Sequence, residues 1–344
     1  MKKNNKKTYV TFLSVFSTLA VIVLHTNGCF WNFSTDRYWL TANIIESIFY
    51  FAVPIFFMIT GVTLINYREK YSTKEFFKKR IVKTLIPFFV WSIIGILYRI
   101  YYCHDTNIIL NFKSIFNGIF GTSFVQIYWF FIPLFMIYLT IPIISTIEKS
   151  KRNKIFLYIV VISFILNSVL PLINSIFSLE LNLPIKLIIG TEYLSYALIG
   201  YLIDNNEIEK KKKIVIYIFG IIGLLVHIMM TYILSTDIGA VNTMYKGYNN
   251  VPCILYSTAV FIFFKDIFIK IKNKKAVSII SFIGNYTFAI YLMHFYIMEI
   301  ITNFFKFSRL SIIYRLGMPF IIASVCILIT WLLRKIPLIK HIVP

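Results

Sequence analysis

The chain has 344 residues, of which 58% are hydrophobic and 14% are charged, and its mean hydropathy is +0.77. A typical soluble domain has about 25% charged residues, so this composition excludes an ordinary water-soluble enzyme. The net charge of +21 would indicate a nucleic-acid partner only if the basic residues formed a groove, and they cluster instead in short segments between apolar runs. We therefore expect a lipid bilayer around the chain and no nucleic-acid partner.

Ten apolar runs are long enough to cross a bilayer as helices of about 20 residues. The first follows the basic segment "MKKNNKK" and lacks a small-residue cleavage site, which predicts a retained helix rather than a removed signal peptide. The expected fold is all-α, a polytopic membrane protein with a single transmembrane domain over residues 1–344. The predicted spans lie near 9–28, 43–65, 81–102, 125–147, 154–174, 185–204, 214–235, 252–271, 277–303 and 311–333.

The distribution of basic residues predicts the orientation of these spans. With the N-terminus inside, all but eight of the 35 Lys and Arg residues fall in predicted cytoplasmic loops and tails. This asymmetry follows the positive-inside rule, so both termini are predicted to be cytoplasmic. The eight exceptions are Arg37, Arg99, Lys113, Lys186, Lys246, Lys306, Arg309 and Arg315.

An ionisable residue inside a membrane span is costly and therefore a candidate for function. His25 lies near the outer end of the first span, and Thr11, Ser14 and Thr18 precede it at spacings that place them on the same helical face. Imidazole titrates near neutral pH, which suits it to accept a proton. The plain alternative is a histidine that only hydrogen-bonds to a neighbouring helix.

Further polar candidates occupy the same outer half of the predicted bundle. Glu46 enters the second span from outside, and His294 and Tyr291 share one face of the ninth, while His227 and Glu192 lie at comparable depths. A histidine paired with a carboxylate suits general-base catalysis, and it suits a proton relay in a transporter equally well. The alternative for each carboxylate is an interfacial group that reaches water.

A basic cluster stands at the cytoplasmic end of the third span, in "FFKKRIVKTLIPFF". Lys79, Arg80 and Lys83 fall within about one helical turn, with Pro87 one turn deeper. One interpretation is anchoring to anionic lipid. The other is capture of a phosphorylated cytosolic ligand, because Arg binds phosphate through two parallel hydrogen bonds.

Three other features bear on the fold. Pro54 and Gly61 in "AVPIFFMITG" predict a kinked or broken second span with a close helix neighbour. Residues 103–124 are too polar for a span and predict an interfacial or re-entrant segment. The four cysteines show no metal-binding spacing, so we expect no metal and either free thiols or one external disulfide.

Taken in order along the chain, several motifs resemble those of the acyltransferase-3 family of membrane-bound acyltransferases. They are the histidine that ends the first span, "VPIFFMITG", "KRIVKTLIP", "YWFFIPLFMIYLTIPII", "YALIGYLI", "SFIGNYTFAIYLMHFYI" and a closing "LLRKIPLIK". The resemblance covers essentially the whole chain, and it rests on the ordered set rather than on one motif.

The resemblance implies a ten-helix membrane enzyme that moves an acyl group, often acetyl, from acyl-CoA to a hydroxyl of an extracytoplasmic glycan or glycolipid. His25 would then be the catalytic histidine of the first-span Arg-x10-His motif. Arg80 and Lys83 would match the third-span Arg-x2-Arg pair and contact the phosphates of the donor, together with Lys79. Ser14 stands where the family has the first-span arginine, so that fixed charge is missing here.

The expected protein is accordingly an O-acyltransferase of a bacterial cytoplasmic membrane, acting on a surface glycan or lipid-linked glycan with acetyl-CoA or another acyl-CoA. His25 would accept the proton of the acceptor hydroxyl or briefly carry the acyl group, and Glu46, Tyr291 and His294 would assist. A transporter or exporter with an outer His/Glu proton relay is the alternative. A third hypothesis is a non-catalytic partner of a glycan-synthesis complex, which the absence of the family arginine at Ser14 favours.

Overall fold

Every regular element in the described part of the chain is a helix. The computed structural model describes residues 2–179, 193–271, 273–337, 339 and 342–343, with side chains from residue 8 onward. The α-helices are α1 (Lys2–Thr26), α2 (Arg37–Phe49), α3 (Ala52–Leu64), α4 (Thr73–Arg80), α5 (Ile86–Tyr101), α6 (Phe112–Phe120), α7 (Phe131–Ile144), α8 (Lys149–Phe164), α9 (Leu170–Phe177), α10 (Leu194–Asn205), α11 (Lys210–Ile238), α12 (Val251–Lys270), α13 (Lys274–Gly284), α14 (Thr287–Phe305) and α15 (Ile312–Leu333).

Nine helical stretches among the described residues are long and apolar enough to cross a membrane. This confirms the prediction of an all-α polytopic membrane protein. The sixth predicted span, 185–204, is described only from Tyr193 onward, as α10 and the residue before it. Glu192 and the first part of that span lie outside the described residues.

Helix α11 shows the inside-out pattern that a bilayer selects. Its buried residues are small or polar, whereas large apolar residues such as Phe219 and Leu225 are exposed. The buried positions recur every three or four residues and therefore form one face of the helix. Small residues on such a face let helices approach closely, and the apolar side chains meet lipid. The buried set is Gly220, Gly223, His227, Thr231 and Ser235.

Two predicted spans are interrupted. The second is divided into α2 and α3 at Tyr50 and Phe51, and Pro54 lies in the first turn of α3, where a missing N–H costs least. This confirms the expected break. The prediction of one continuous span over 277–303 is wrong, because α13 ends at Gly284 and α14 begins at Thr287. Gly and Asn at 284–285 are poor helix formers, and the apolar pattern on both sides concealed the interruption.

The third span contains a π-helical turn, Ile81–Leu85, between α4 and α5. Pro87, one turn further, cannot donate the backbone hydrogen bond that a regular α-helix would need there. The wider π turn accommodates this defect, and such turns occur frequently at functional sites. It also redirects the side chains of Lys83 and Thr84 relative to a regular helix.

The centre of the bundle is α1, which packs against α3, α12, α13, α14 and α15. A second close pair is α3 with α10. A Cβ atom on Gly61 would lie 1.8 Å from the carbonyl oxygen of Ala197, and one on Gly200 would lie 2.2 Å from that of Met58. The two backbones therefore touch, as expected from Gly61 in the sequence.

The segment 103–124 does not cross the bundle as a span. It contains α6, a nine-residue helix whose side chains Phe112, Phe116 and Phe120 are exposed on one face. Nine residues give a helix of roughly 14 Å, too short for a bilayer of about 30 Å. An apolar face on a short helix is typical of a segment that lies at the membrane–water interface.

Candidate active site

A cavity of about 680 Å³ lies at the predicted outer end of the bundle. Its wall includes His25, Glu46 and Tyr291, which the sequence singled out. Aromatic side chains form much of the remaining wall, and one of them, Trp31, is exposed to solvent. The structure therefore brings three of the four predicted catalytic residues to one concave surface. The other aromatic residues of the wall are Tyr50, Tyr98, Phe124, Trp129, Phe130, Tyr248, Phe295 and Tyr296.

The fourth predicted residue, His294, lies beside His25, with 5.1 Å between the ring centroids. His25 is half-buried and His294 is fully buried. The Nδ1 atom of His294 contacts the carbonyl oxygens of Ile290 at 3.1 Å and Tyr291 at 2.8 Å. A carbonyl can only accept, so Nδ1 carries a proton, and the buried Nε2 of His294 keeps its lone pair without a partner among the described residues.

Glu46 is held by two neighbours, Lys246 and Asn27, rather than by His25. Its Oε1 lies 3.7 Å from Nζ of Lys246, and Asn27 donates a 3.2 Å hydrogen bond to Oε2. The guanidinium of Arg315 donates in turn to Oδ1 of Asn27 at 3.3 Å. All four side chains are buried, so a charged and hydrogen-bonded network supports one wall of the outer cavity.

Lys246 reaches this network from the loop between α11 and α12. Its ammonium lies 3.9 Å from the ring centroid of Tyr50 and 4.6 Å from that of Phe30, in addition to Glu46. Burial lowers the pKa of Lys246 to about 8, although the Glu46 carboxylate opposes this change.

A second cavity, of about 380 Å³, lies toward the predicted cytoplasmic end of the bundle. Its wall includes Arg80 and Lys83 from the π-helical region and Ser14 from α1. The Nε atom of Arg80 is buried without a hydrogen-bond partner among the described residues. Ser14, where the resemblance leads us to expect an arginine, donates to Thr287 at 3.3 Å and lines the same cavity as the two cations. We call this the inner cavity and the first one the outer cavity.

Lys79 stands apart from Arg80 and Lys83. Its ammonium pairs with Glu75 at 2.7 Å and lies 4.0 Å from the ring centroid of Tyr71, and it is not part of the inner-cavity wall. The three basic residues predicted as one binding cluster are thus separated by the structure into a pair on the cavity and a neighbour on the surface.

Two residues, Phe130 and Tyr291, belong to the walls of both cavities. The ring of Tyr291 lies 5.5 Å from that of Phe130 and 5.7 Å from that of His294. Tyr291 therefore lines the inner cavity and also lies beside His294.

Several of these residues escaped sequence reasoning. Lys246 and Arg315 are exceptions to the positive-inside distribution, and that anomaly was the available signal, because a cation on the wrong side needs another reason to be kept. Phe130 gave no signal, since one phenylalanine among 34 in an apolar run looks like packing.

His227 packs against Tyr50, with 5.2 Å between the ring centroids, rather than against His25.

The described residues include no group of three or more His, Cys, Asp and Glu side chains that could hold a metal ion. All four cysteines are described, and each is a free thiol, so the external disulfide is not formed.

Comparison with known proteins gives one match. The family model described as an acyltransferase domain, Acyl_transf_3, matches residues 8–334. The chain belongs to the acyltransferase-3 family. No curated protein and no solved structure matches it. As a member of the acyltransferase-3 family it is an acyltransferase.

Proposed function

We propose that this acyltransferase moves an acyl group, with acetyl expected, from cytosolic acyl-CoA to a hydroxyl of a glycan or glycolipid outside a bacterial cytoplasmic membrane. The observation that carries the proposal is Tyr291, which lines both cavities and lies 5.7 Å from His294, itself 5.1 Å from His25. A donor held in the inner cavity and an acceptor in the outer one would meet at this point.

The donor would be held by its phosphates. Arg80 and Lys83 supply two positive charges on the inner cavity, and the buried Nε of Arg80 has a donor to offer. A guanidinium binds phosphate oxygens through parallel hydrogen bonds, and an ammonium adds a compact charge. Lys79 is paired with Glu75, so it would attract the anionic donor toward the cavity rather than bind it there.

His25 would act as the general base. It takes the proton from the acceptor hydroxyl while that oxygen attacks the carbonyl carbon of the thioester. The new C–O bond forms, the C–S bond breaks, and the departing thiolate takes the proton back from His25. The hydroxyl and the thioester are converted into an ester and a thiol, and the proton moves from the hydroxyl to the thiol through His25. No further reagent is needed.

The neighbours of His25 would position it. His294 presents a neutral ring beside it, because Nδ1 is committed to the backbone carbonyls. Glu46, held by Lys246 and Asn27, would bring negative charge to the same cavity wall as the imidazolium that forms. Tyr291 would hold the acyl end of the donor, since its own hydroxyl is occupied by the carbonyl of Ile127.

Membership of an acyltransferase family favours this function over the exporter considered from the sequence. The decisive measurement is transfer of labelled acetyl from acetyl-CoA, supplied to the cytoplasmic face, into glycan or glycolipid in membrane vesicles. His25→Ala should lower the rate by about 10²–10⁴-fold, the usual contribution of a general base.

The matched control is His104→Asn. His104 is an exposed histidine outside both cavity walls, with a positive φ of 52° that Asn tolerates. It should transfer acetyl at the wild-type rate. Unimpaired transfer by His25→Ala at equal membrane content would remove His25 from the mechanism. A wild-type protein that transfers nothing from any acyl-CoA would contradict the proposed donor.

A further inference from the structure

The two cavities are separated by a thin aromatic partition. Phe130 and Tyr291 are the residues that their described walls have in common, and their ring centroids are 5.5 Å apart. The two cavities therefore adjoin at these two rings. The partition is therefore a position at which the protein could select transferred groups by size.

One side of the partition is fixed by hydrogen bonds. The hydroxyl of Tyr291 donates to the carbonyl of Ile127, and the hydroxyl of Tyr128 donates to the carbonyl of Leu292 at 2.7 Å. These reciprocal bonds join α14 to the short 3-10 helix Gln126–Phe130. Water is scarce at this depth, so a released hydroxyl or carbonyl would have no replacement partner. Tyr291 is thus held in place.

The second ring of the partition is the phenyl group of Phe130. It is held only by ring packing, because a phenyl group has no hydrogen-bonding atom. Phe130 lies 4.8 Å from Phe57 and 6.0 Å from Phe56, measured between ring centroids. Phe130 can therefore change its rotamer without breaking a hydrogen bond, whereas Tyr291 cannot. The volume of the side chain at position 130 then controls the free space beside Tyr291.

We propose that Phe130 is the residue that determines acyl size. The inference rests on the proposed function. The acyl end of the donor lies between Phe130 and Tyr291 during transfer, and the phenyl ring of Phe130 limits the length of acyl chain that fits. A smaller residue at 130 admits longer chains, and a larger one excludes all but the shortest.

The test uses the full-length protein in vesicles with acetyl-, butyryl-, hexanoyl- and octanoyl-CoA supplied separately. The readout is the ratio of the hexanoyl to the acetyl transfer rate, which cancels differences in protein content. Phe130→Ala should raise this ratio by about tenfold or more, because pockets discriminate added methylenes by factors of this order. Phe130→Trp should lower the butyryl to acetyl ratio. Phe130→Leu should lie between wild type and Phe130→Ala.

The matched control is Phe131→Ala. Phe131 is the next residue and is fully buried, its ring is also 5.5 Å from that of Tyr291, and it belongs to neither cavity wall. It loses the same side-chain volume and should keep the wild-type ratios.

The proposal is overturned if Phe130→Leu and Phe130→Trp both keep the wild-type chain-length profile, and these milder variants decide the question should Phe130→Ala fail to reach the membrane. It is also overturned if Phe131→Ala widens the profile as much as Phe130→Ala does. Failure of the proposed function looks different, because the wild-type protein would then transfer no acyl group from any of the four donors.

Discussion

The outer and inner cavities handle charge in opposite ways. In the outer cavity, Glu46 is buried and already satisfied by Lys246 and Asn27. The wall of the inner cavity instead carries two cations, Arg80 and Lys83, and no carboxylate among the described residues. A preorganised network costs little to use during a reaction, while two cations on a wall without a carboxylate attract an anion. Under the proposed function, the outer wall would serve the chemistry and the inner wall would bind the phosphates of the donor.

The largest expected effect would break the outer network. Lys246→Met leaves the Glu46 carboxylate buried without its ammonium, and loss of one partner of a buried ion pair costs about 3–5 kcal/mol. We expect a fall of this size in the free energy of unfolding, measured by denaturation in detergent micelles. The double variant Glu46→Gln/Lys246→Met, which removes both charges, should recover most of it.

The control for this comparison is an exposed ion pair. Lys149 pairs with Glu69 at 2.9 Å, and both side chains are more than half exposed. Lys149→Met should cost at most about 1 kcal/mol, because water screens exposed pairs. Equal losses for Lys149→Met and Lys246→Met would show that burial does not strengthen the outer network.

The same lysine gives the outer network a pH dependence. Burial lowers the pKa of Lys246 from 10.5 to about 8, so between these values the unfolded chain binds more protons than the folded protein. Stability contributed by Lys246 should therefore rise with pH across this window. The gap in unfolding free energy between the wild-type protein and Lys246→Met should widen between about pH 8 and 10.5 and then level off.

A smaller effect is expected at the inner cavity. Arg80→Gln removes one charged contact with the donor, worth about 1.5–3 kcal/mol, and should raise the KM for acyl-CoA by about ten- to a hundredfold with kcat little changed. Lys79→Gln is the matched control, since Lys79 is paired with Glu75 and lies off the cavity wall. If both variants raise KM equally, the basic residues act through surface charge and not through a specific site.

The smallest effect is expected from Ser14→Arg, which restores the family arginine. The new cation would face the inner cavity beside Thr287 and add an interaction of at most about 1 kcal/mol with a partly solvated anion. The KM for acyl-CoA should fall by up to about fivefold. An increase in KM would mean that the arginine occupies space that the donor needs.

The sequence allowed the class of protein and most span positions to be predicted, because hydropathy reports directly on the bilayer. It also predicted Gly61 as a site of close helix approach, which the contact with Ala197 confirms. These features depend on one span at a time.

What escaped prediction depends on two or more spans. The contact between His25 and His294, the capture of Glu46 by Lys246, and the position of Phe130 between two cavities are pairings of distant segments. Helical periodicity assigns a residue to a face and a depth, and it carries no information on which helix that face meets. The break at Gly284 was missed for a related reason, since two short apolar helices have the hydropathy of one long helix.

The close contact of α3 with α10 also has a consequence for biogenesis. Gly61 meets the backbone of Ala197, and Gly200 meets that of Met58, so each helix lacks its neighbour until the other has been inserted. Spans insert first and associate afterwards. More than half of the chain is therefore synthesised before α3 can dock, and until then its flat glycine surface faces lipid or a provisional partner. Formation of the contact between α3 and α10 is therefore a late step in assembly. Mutations at either glycine should lower the amount of assembled protein in the membrane before they lower the rate of the reaction.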